Sequence, residues 1–360
     1  MRRDDVLIVG GGPAGATCAW ALGRAGVAVT VIDKARFPRD KVCAGWITPA
    51  VLTELEIDPE DYRRGRVLQA ISGFRVGLMG EAAVDLAYAE TVSYGIRRCE
   101  FDDYLLRRSG ARLICGEAVR APRREAGAWT LGADLRAPML VGAGGHACPV
   151  ARALGAHPAG EIAVLAREIE FRPSAAALAD CAVRAERPEL YFCRDLAGYG
   201  WCFRKGDFLN VGLGHSPGHD LARRVDDFVA FLLRERGVPA PDGRFHGHAY
   251  LLREQSRREC VGDGVLLVGD AAGLAYPGSG EGIRPAVESG LLAARVIIEA
   301  DGDYGGERLQ AYRARLRARF EAGSAIAEYL PAGIRAWLAR RLFRHPRLLR
   351  EILLDRKSVV

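Results

Sequence analysis

An α/β fold is predicted for this chain: a Rossmann-like sheet domain, an inserted β-rich region, and helices at the C-terminal end. Three observations carry the prediction. A short apolar run, Val6-Leu7-Ile8-Val9, leads into Gly10-Gly11-Gly12-Pro13-Ala14-Gly15, a helical stretch, and a β-branched run that ends at Asp33. A second glycine-rich segment, from Gly269 to Ile283, stands near the other end of the chain. Between them, from about Ile162 to His248, the pattern changes to alternating strands.

Composition bounds the reading. The 360 residues suffice for one large domain or two intimate ones with a sizeable core. Apolar and charged contents are those of a globular protein, which argues against disorder or fibre. The net charge is +6, and Arg supplies almost all of the basic count, Lys occurring only at positions 34, 41, 205 and 357. Without an aromatic-basic alternation, nucleic-acid binding is not expected. The 9 cysteines are irregularly spaced and form no C-x-x-C, so a zinc ribbon, a thioredoxin-type pair and an iron-sulfur run lack support. No metal is expected, and reduced thiols in a cytoplasmic protein are the simplest account. The first strand starts directly after Arg3-Asp4-Asp5, so no signal peptide is expected. No apolar run approaches the roughly 18 residues of a spanning helix.

The elements follow in order. Val6 to Val9 is a buried parallel strand, Ala14 to Arg24 a helix with small residues at Ala14, Ala16 and Ala19, and Gly26 its stop. Val27 to Ile32 is the second strand. Arg98 to Ser109 reads as a helix with Phe101, Leu105 and Leu106 on one face. Leu113 to Cys115, Trp129 to Leu131 and Met139 to Val141 read as strands. Gly198 to Gly214 reads as a hairpin turning at Lys205-Gly206-Asp207, and Leu221 to Arg236 as an amphipathic helix. Gly264 to Asp270 returns to the first domain, a helix runs from Gly282 to Glu299, and Leu309 to Leu354 is helical and rich in Arg.

In the first loop Gly10 permits the tight turn, Gly12 lets the backbone approach a pyrophosphate, and Gly15 lets helix and strand pack closely. The helix start turns unpaired N–H groups and a positive dipole end toward the phosphates. Asp33 stands where a carboxylate can accept from ribose hydroxyls. At the other end a buried strand delivers Gly269-Asp270, and Pro277 to Gly282 opens a helix whose N–H groups can stabilise negative charge. Tyr199, Trp201 and Phe203 alternate, so they face one side of a strand. That face is either packed on a core or an apolar wall of a substrate cavity.

Gly269-Asp270-Ala271-Ala272 and Gly280-Glu281-Gly282-Ile283 resemble the second FAD motif of glutathione-reductase-like and hydroxylase-like flavoproteins. Arg36-Phe37-Pro38-Arg39-Asp40-Lys41-Val42-Cys43-Ala44-Gly45-Trp46 resembles the segment after the ribose acid in the geranylgeranyl reductase-like family, with Ala44 replacing a glycine of Lys-x-Cys-Gly-Gly. Tyr199 to Lys205 is similar to its Tyr-x-Trp-x-Phe-Pro-Lys element, with Arg204 in place of Pro. Arg98-x-x-Phe101-Asp102 matches a helix start whose Arg lies near FAD in the family. One departure stands out: Gly144 occupies the Asp position of the Gly-Ala-Asp-Gly motif of flavin hydroxylases and halogenases.

The resemblance implies a Rossmann-like FAD-binding domain at 1–155 and 256–305, a β-rich substrate region at 156–255, and C-terminal helices at 306–360. It places FAD against Gly10, Gly12, Pro13, Ala14, Gly15, Asp33, Lys34, Arg39, Cys43 and Ala44. Arg98, Val119, Gly269, Asp270, Gly280, Gly282 and Ile283 complete the set. Tyr199, Trp201, Phe203 and Pro277 are the expected substrate contacts. Cys43, Tyr199 and Trp201 are the expected catalytic residues, with Cys43 as a proton donor beside Lys41. The implied activity is reduction of C=C bonds in an apolar, isoprenoid-like substrate. NAD(P)H, or a reduced ferredoxin or flavodoxin, would supply electrons. A flavin-dependent monooxygenase or halogenase acting through a flavin hydroperoxide, and a non-catalytic flavin electron carrier, are the alternatives. The Arg residues from Arg313 to Arg350, interleaved with Trp337, Leu338, Leu342 and Phe343, read either as a solvated helix face or as a peripheral membrane contact.

Overall fold

The computed structural model describes residues 5–157, 160–216, 219–277 and 279–320. A six-stranded sheet is built on the opening β-α-β unit. Strand Val6–Val9 pairs in parallel with Val29–Asp33 on one side and Met139–Gly142 on the other. Arg112–Cys115 and Val265–Leu267 extend the sheet at its two sides, both in parallel. Val6–Val9 and Met139–Gly142 are buried throughout, as central strands covered on both faces must be. The chain's return through Val265–Leu267 brings Gly269 and Asp270 to the same sheet end as Gly10.

Helix Pro13–Arg24 leaves the glycine loop and packs against helix Ile283–Ala300. The long helix turns Ile283, Val287, Gly290, Ala294 and Ile297 inward, a spacing of four and three that draws one face of a 3.6-residue helix. Gly290 sets the approach, since a Cβ there would lie 2.5 Å from the Ala14 carbonyl oxygen.

A seven-stranded sheet forms the second layer, in the order His246–Tyr250, Val164–Phe171, Phe208–His215, Gly198–Lys205, Glu189–Phe192, Gly73–Leu78, Val84–Ala87. Its pairs are antiparallel except Glu189–Phe192 beside Gly73–Leu78, which run parallel. The β-rich layer thus takes two strands from the stretch between Trp46 and Arg98, ahead of residues 156–255. A small antiparallel sheet of Trp46–Ile47, Ser93–Ile96 and Leu68–Ile71 lies in the same stretch. Helix Leu221–Arg236 covers one face of the large sheet with Val225, Phe228 and Leu232, and ends at Gly237 in the left-handed region.

The hairpin turns at Gly206-Asp207, with Gly206 at φ +58. Lys205, expected in the turn, is instead the last residue of its strand and is fully buried. The alternation that begins at Tyr199 carries it inward, and buried acceptors hold it there. Helix Gly306–Phe320 spends its basic residues on the protein itself: Arg313 pairs with Glu259, Arg315 with Glu299 at 2.6 Å, and Arg319 with Glu288 at 2.6 Å. The Trp337 to Arg350 stretch, on which the membrane-contact expectation rests, lies outside the described residues. Among the described residues no helix is long and apolar enough to cross a membrane. All 9 cysteines are free thiols.

Candidate functional site

A cavity of about 1080 Å³ lies between the carboxyl ends of the six-stranded sheet and one face of the seven-stranded sheet. Both glycine segments open into it. At one end, Gly10 sits at φ +113, and a Cβ there would come within 2.3 Å of the Ala143 carbonyl oxygen. Gly15 is equally constrained, its absent Cβ falling 1.9 Å from the Gly10 oxygen. Gly12 differs: a Cβ there would meet only Arg39 Nη2, at 3.7 Å. Gly10 and Gly15 therefore shape the turn, while Gly12 faces open space. Helix Pro13–Arg24 has no side-chain cap and no acid in its first turn, so its leading N–H groups are left for an anion.

Asp33 ends the second strand at the cavity. Its Oδ2 accepts from Gly11 N–H at 2.8 Å and its Oδ1 from Ala35 N–H at 2.8 Å, so it also orders the loop in front of it. Lys34, Arg39 and Val119 line the same end. Arg98 makes a two-pronged bond to Asp102, both contacts at 2.8 Å, and Arg39 lies 3.0 Å from the same carboxylate. Asp102 is fully buried, so the pair of guanidiniums is what permits its charge.

Past the returning strand, beside the first helix, Asp270 receives His248 Nε2 at 3.2 Å. Burial works against the Asp270 carboxylate, but His248 and the charges of Lys41 and Arg98 outweigh it and hold its pKa below the usual range. Burial, with Arg98 nearby, pulls the Lys41 ammonium down to about 8. Helix Ile283–Ala300 begins here at Gly282, again with no side-chain cap and no acid in its first turn. Two uncapped helix starts thus face one cavity.

The far wall is aromatic. Trp46, Tyr199, Trp201 and Tyr250 line it, with Cys43 and Ala44 on the adjoining loop. Tyr199 donates its hydroxyl to the Ser279 carbonyl oxygen at 2.6 Å, which ties the large sheet to the segment before the long helix. Trp201 donates Nε1–H to Asn210 Oδ1 at 2.8 Å. Both polar ends are engaged by protein, so what these residues offer the cavity is ring surface. Burial and nearby Cys43 push the Tyr199 hydroxyl pKa up, which further removes it as an acid.

The cavity gathers most of the residues expected there and leaves out four. Phe203, expected as a substrate contact, is 1 % exposed and packs 5.8 Å from the Trp46 ring. It shares the strand face with Tyr199 and Trp201, but Trp46 covers that position. Pro277 is exposed and outside the cavity; Ser279 to Ile283 make the approach instead. Gly15 and Gly269 do not line it either, and both act as spacers. Gly269, at φ +57, lets the strand end pass the first helix, since its Cβ would sit 3.0 Å from the Ala14 Cβ.

Several site residues escape sequence reasoning. Glu168, Asn210 and Lys205 are buried polar residues behind the Cys43 loop, and His248 and Tyr250 come from an edge strand. A signal existed at Glu168 and Glu170, two acids on the face of strand Val164–Phe171 that otherwise carries Val164 and Ala166. His146 follows the Gly144 departure and edges the cavity, with buried Arg258 Nη2 3.3 Å from its Nδ1. Arg258 also grips Glu161 at 2.8 Å and the Ala271 carbonyl at 3.1 Å, which joins the 143–147 loop to the 269–272 turn. Cys193, Asp195 and His215 cluster as metal ligands would. Arg224 already supplies a cation there, 3.1 Å from Asp195.

These residues fit FAD. Two anion-receptive helix starts open onto one cavity, a backbone cradle admits no Cβ at Gly10, and an acid follows the second strand. A family model described as FAD dependent oxidoreductase matches residues 5–101. The menaquinone reductase of Mycobacterium tuberculosis is 32% identical, covering 82% of this chain and 77% of that protein. Digeranylgeranylglycerophospholipid reductase 1 of Methanopyrus kandleri is 30% identical, covering 91% of this chain and 90% of that protein. Among solved structures, a geranylgeranyl bacteriochlorophyll reductase-like protein from Thermoplasma acidophilum aligns with a TM-score of 0.77 at 25% identity, over 98% of this chain and 89% of that one. The cofactor is FAD.

Proposed function

Because this chain belongs to the geranylgeranyl reductase-like family of FAD-dependent oxidoreductases, we propose that it reduces C=C bonds in an apolar, isoprenoid-like substrate. The observation that carries this reading is the composition of the far wall. Trp46, Tyr199, Trp201 and Tyr250 present ring surface beside the Cys43 loop, with Tyr199 bonded to Ser279 just ahead of helix Ile283–Ala300. Such a wall suits a hydrocarbon chain and offers little to a polar ring. The named relatives point the same way, since menaquinone and digeranylgeranylglycerophospholipid both carry isoprenoid chains.

Saturating a C=C bond adds a hydride to one carbon and a proton to the other. Bound FAD, once reduced, supplies the hydride. The chain's residues supply position and the proton. Asp33 and the first helix start would hold the nucleotide end of FAD, and the second helix start would stabilise negative charge on its ring. The aromatic wall excludes water and holds the alkene. Cys43 gives its thiol proton to the second carbon, and the thiolate regains a proton from solvent after product leaves. NAD(P)H, or a reduced ferredoxin or flavodoxin, would serve as electron donor.

The test uses dithionite-reduced holoprotein under nitrogen, which removes the natural donor from the question. Addition of a geranylgeranyl lipid should restore the oxidised-flavin band and give a product two mass units heavier per bond reduced. Cys43→Ala should slow this step by about 100-fold or more while keeping its FAD. Reoxidation by dioxygen alone, with an oxygenated product, refutes the reductase reading.

A further inference from the structure

Behind the Cys43 loop the large sheet carries a polar layer that the chemistry above does not use. Strands Val164–Phe171, Gly198–Lys205 and Phe208–His215 are neighbours, and they place Glu168, Lys205 and Asn210 beneath residues 43–45. Glu168 Oε2 accepts from Cys43 N–H at 2.5 Å. Asn210 Nδ2 donates to the Cys43 carbonyl at 3.2 Å and to Glu168 Oε1 at 2.8 Å. Lys205 Nζ donates to the Ala44 carbonyl at 3.1 Å. Trp201 holds Asn210 in turn, and Gly212 makes room for it, because a Cβ there would lie 2.3 Å from Trp201 Cζ2.

The cost of this arrangement argues for a purpose. Glu168 is 6 % exposed and Asn210 is 1 % exposed. A buried carboxylate is expensive unless its bonds are needed, and the loop would be anchored more cheaply by apolar packing. The layer grips both polar groups of the Cys43 peptide and leaves its thiol at the cavity. The Gly45 N–H reaches back to Cys43 Sγ at 3.4 Å, which fixes the side chain from the other side.

We propose that Glu168 is a positioning residue for Cys43: bridging the Cys43 N–H and Asn210, it aims the thiol at the substrate's double bond. The proposal rests on the reading of Cys43 as the proton donor. Asn210 completes the clamp, and Trp201 serves twice, as cavity wall and as the anchor of Asn210.

The experiment is a double-mutant cycle on the holoprotein, with alkylation of Cys43 by iodoacetamide as a second readout. Glu168→Ala should lower the turnover number by about 100-fold, the scale of a 1 Å misplacement, with KM and FAD content retained. In a Cys43→Ala background the same change should cost nothing further, because the clamp acts through the thiol. Glu168→Ala should also change the Cys43 alkylation rate several-fold. Glu168→Gln keeps the shape and one acceptor and serves where Glu168→Ala fails to fold: it should lower turnover by a smaller factor, again with no further loss in the Cys43→Ala background. Fully additive losses, or an unchanged alkylation rate, overturn the proposal. If Cys43→Ala retains full turnover, the proton-donor reading falls instead, and alkylation alone decides whether the clamp exists.

Discussion

Replacing Glu168 by Gln should make the protein more stable at pH 8 and slightly less stable at pH 5. Burial is the first cause that lifts the Glu168 carboxyl from 4.5 to about 7, with Glu170 adding to it, while Lys205, the Cys43 N–H and Asn210 pull the other way. A raised carboxyl favours its protonated form in the folded state. Its contribution is therefore fully present below the unfolded value, and is lost as pH rises through about 7. The shift from 4.5 to about 7, at about 1.36 kcal/mol per unit, sets an upper bound of about 3.4 kcal/mol above pH 8. Integrated between pH 5 and pH 8, the penalty grows by about 2.5 kcal/mol. Gln removes that slope. It also adds a pH-independent cost of about 1–2 kcal/mol, because both Glu168 oxygens face donors and the new amide must turn N–H groups toward one of them. The slope is thus the diagnostic quantity and the offset is not. Urea unfolding of both proteins, loaded with FAD, at four pH values from 5 to 8 measures it. Mutant and wild-type curves that stay parallel across this range would refute the argument that burial governs Glu168. Stability gained together with turnover lost is the signature of a group kept for function at a cost to the fold.

Two further outcomes follow from the cofactor end. Gly10→Ala should yield protein without bound FAD, since the added methyl meets the Ala143 carbonyl at 2.3 Å in a backbone at φ +113; a yellow, FAD-loaded variant would contradict the cradle. Arg98→Ala should cost about 3 kcal/mol in urea unfolding, because the fully buried Asp102 would keep only Arg39 at 3.0 Å. Adding Asp102→Asn should recover part of that loss, and no recovery would mean that Arg98 acts through packing rather than charge.

The nucleotide end is legible in the sequence because its code is local. A strand, a glycine turn, a helix start and an acid fall within the span from Val6 to Asp33, and each acts on its chain neighbours. The hairpin at Gly206 and helix Leu221–Arg236 are legible for the same reason. Strand Gly73–Leu78 is not, since its sequence says nothing of a parallel partner at Glu189–Phe192. Phe203 and Tyr199 show the limit within one strand. Alternation puts both on one face, but only the placement of Trp46 decides that one is covered and the other meets the cavity.

The order of residues is therefore enough to point to the FAD fold and to single out the two glycine segments and the Cys43 loop, which line one cavity. What stands behind that loop is set by the packing of the layers. Glu168 meets Cys43 across 125 residues of chain, and Asn210 across 167. Such pairs leave no periodicity or spacing in the sequence, because sheet register and layer packing create them. A buried carboxylate is recognisable only once the surroundings that exclude water from it are in place.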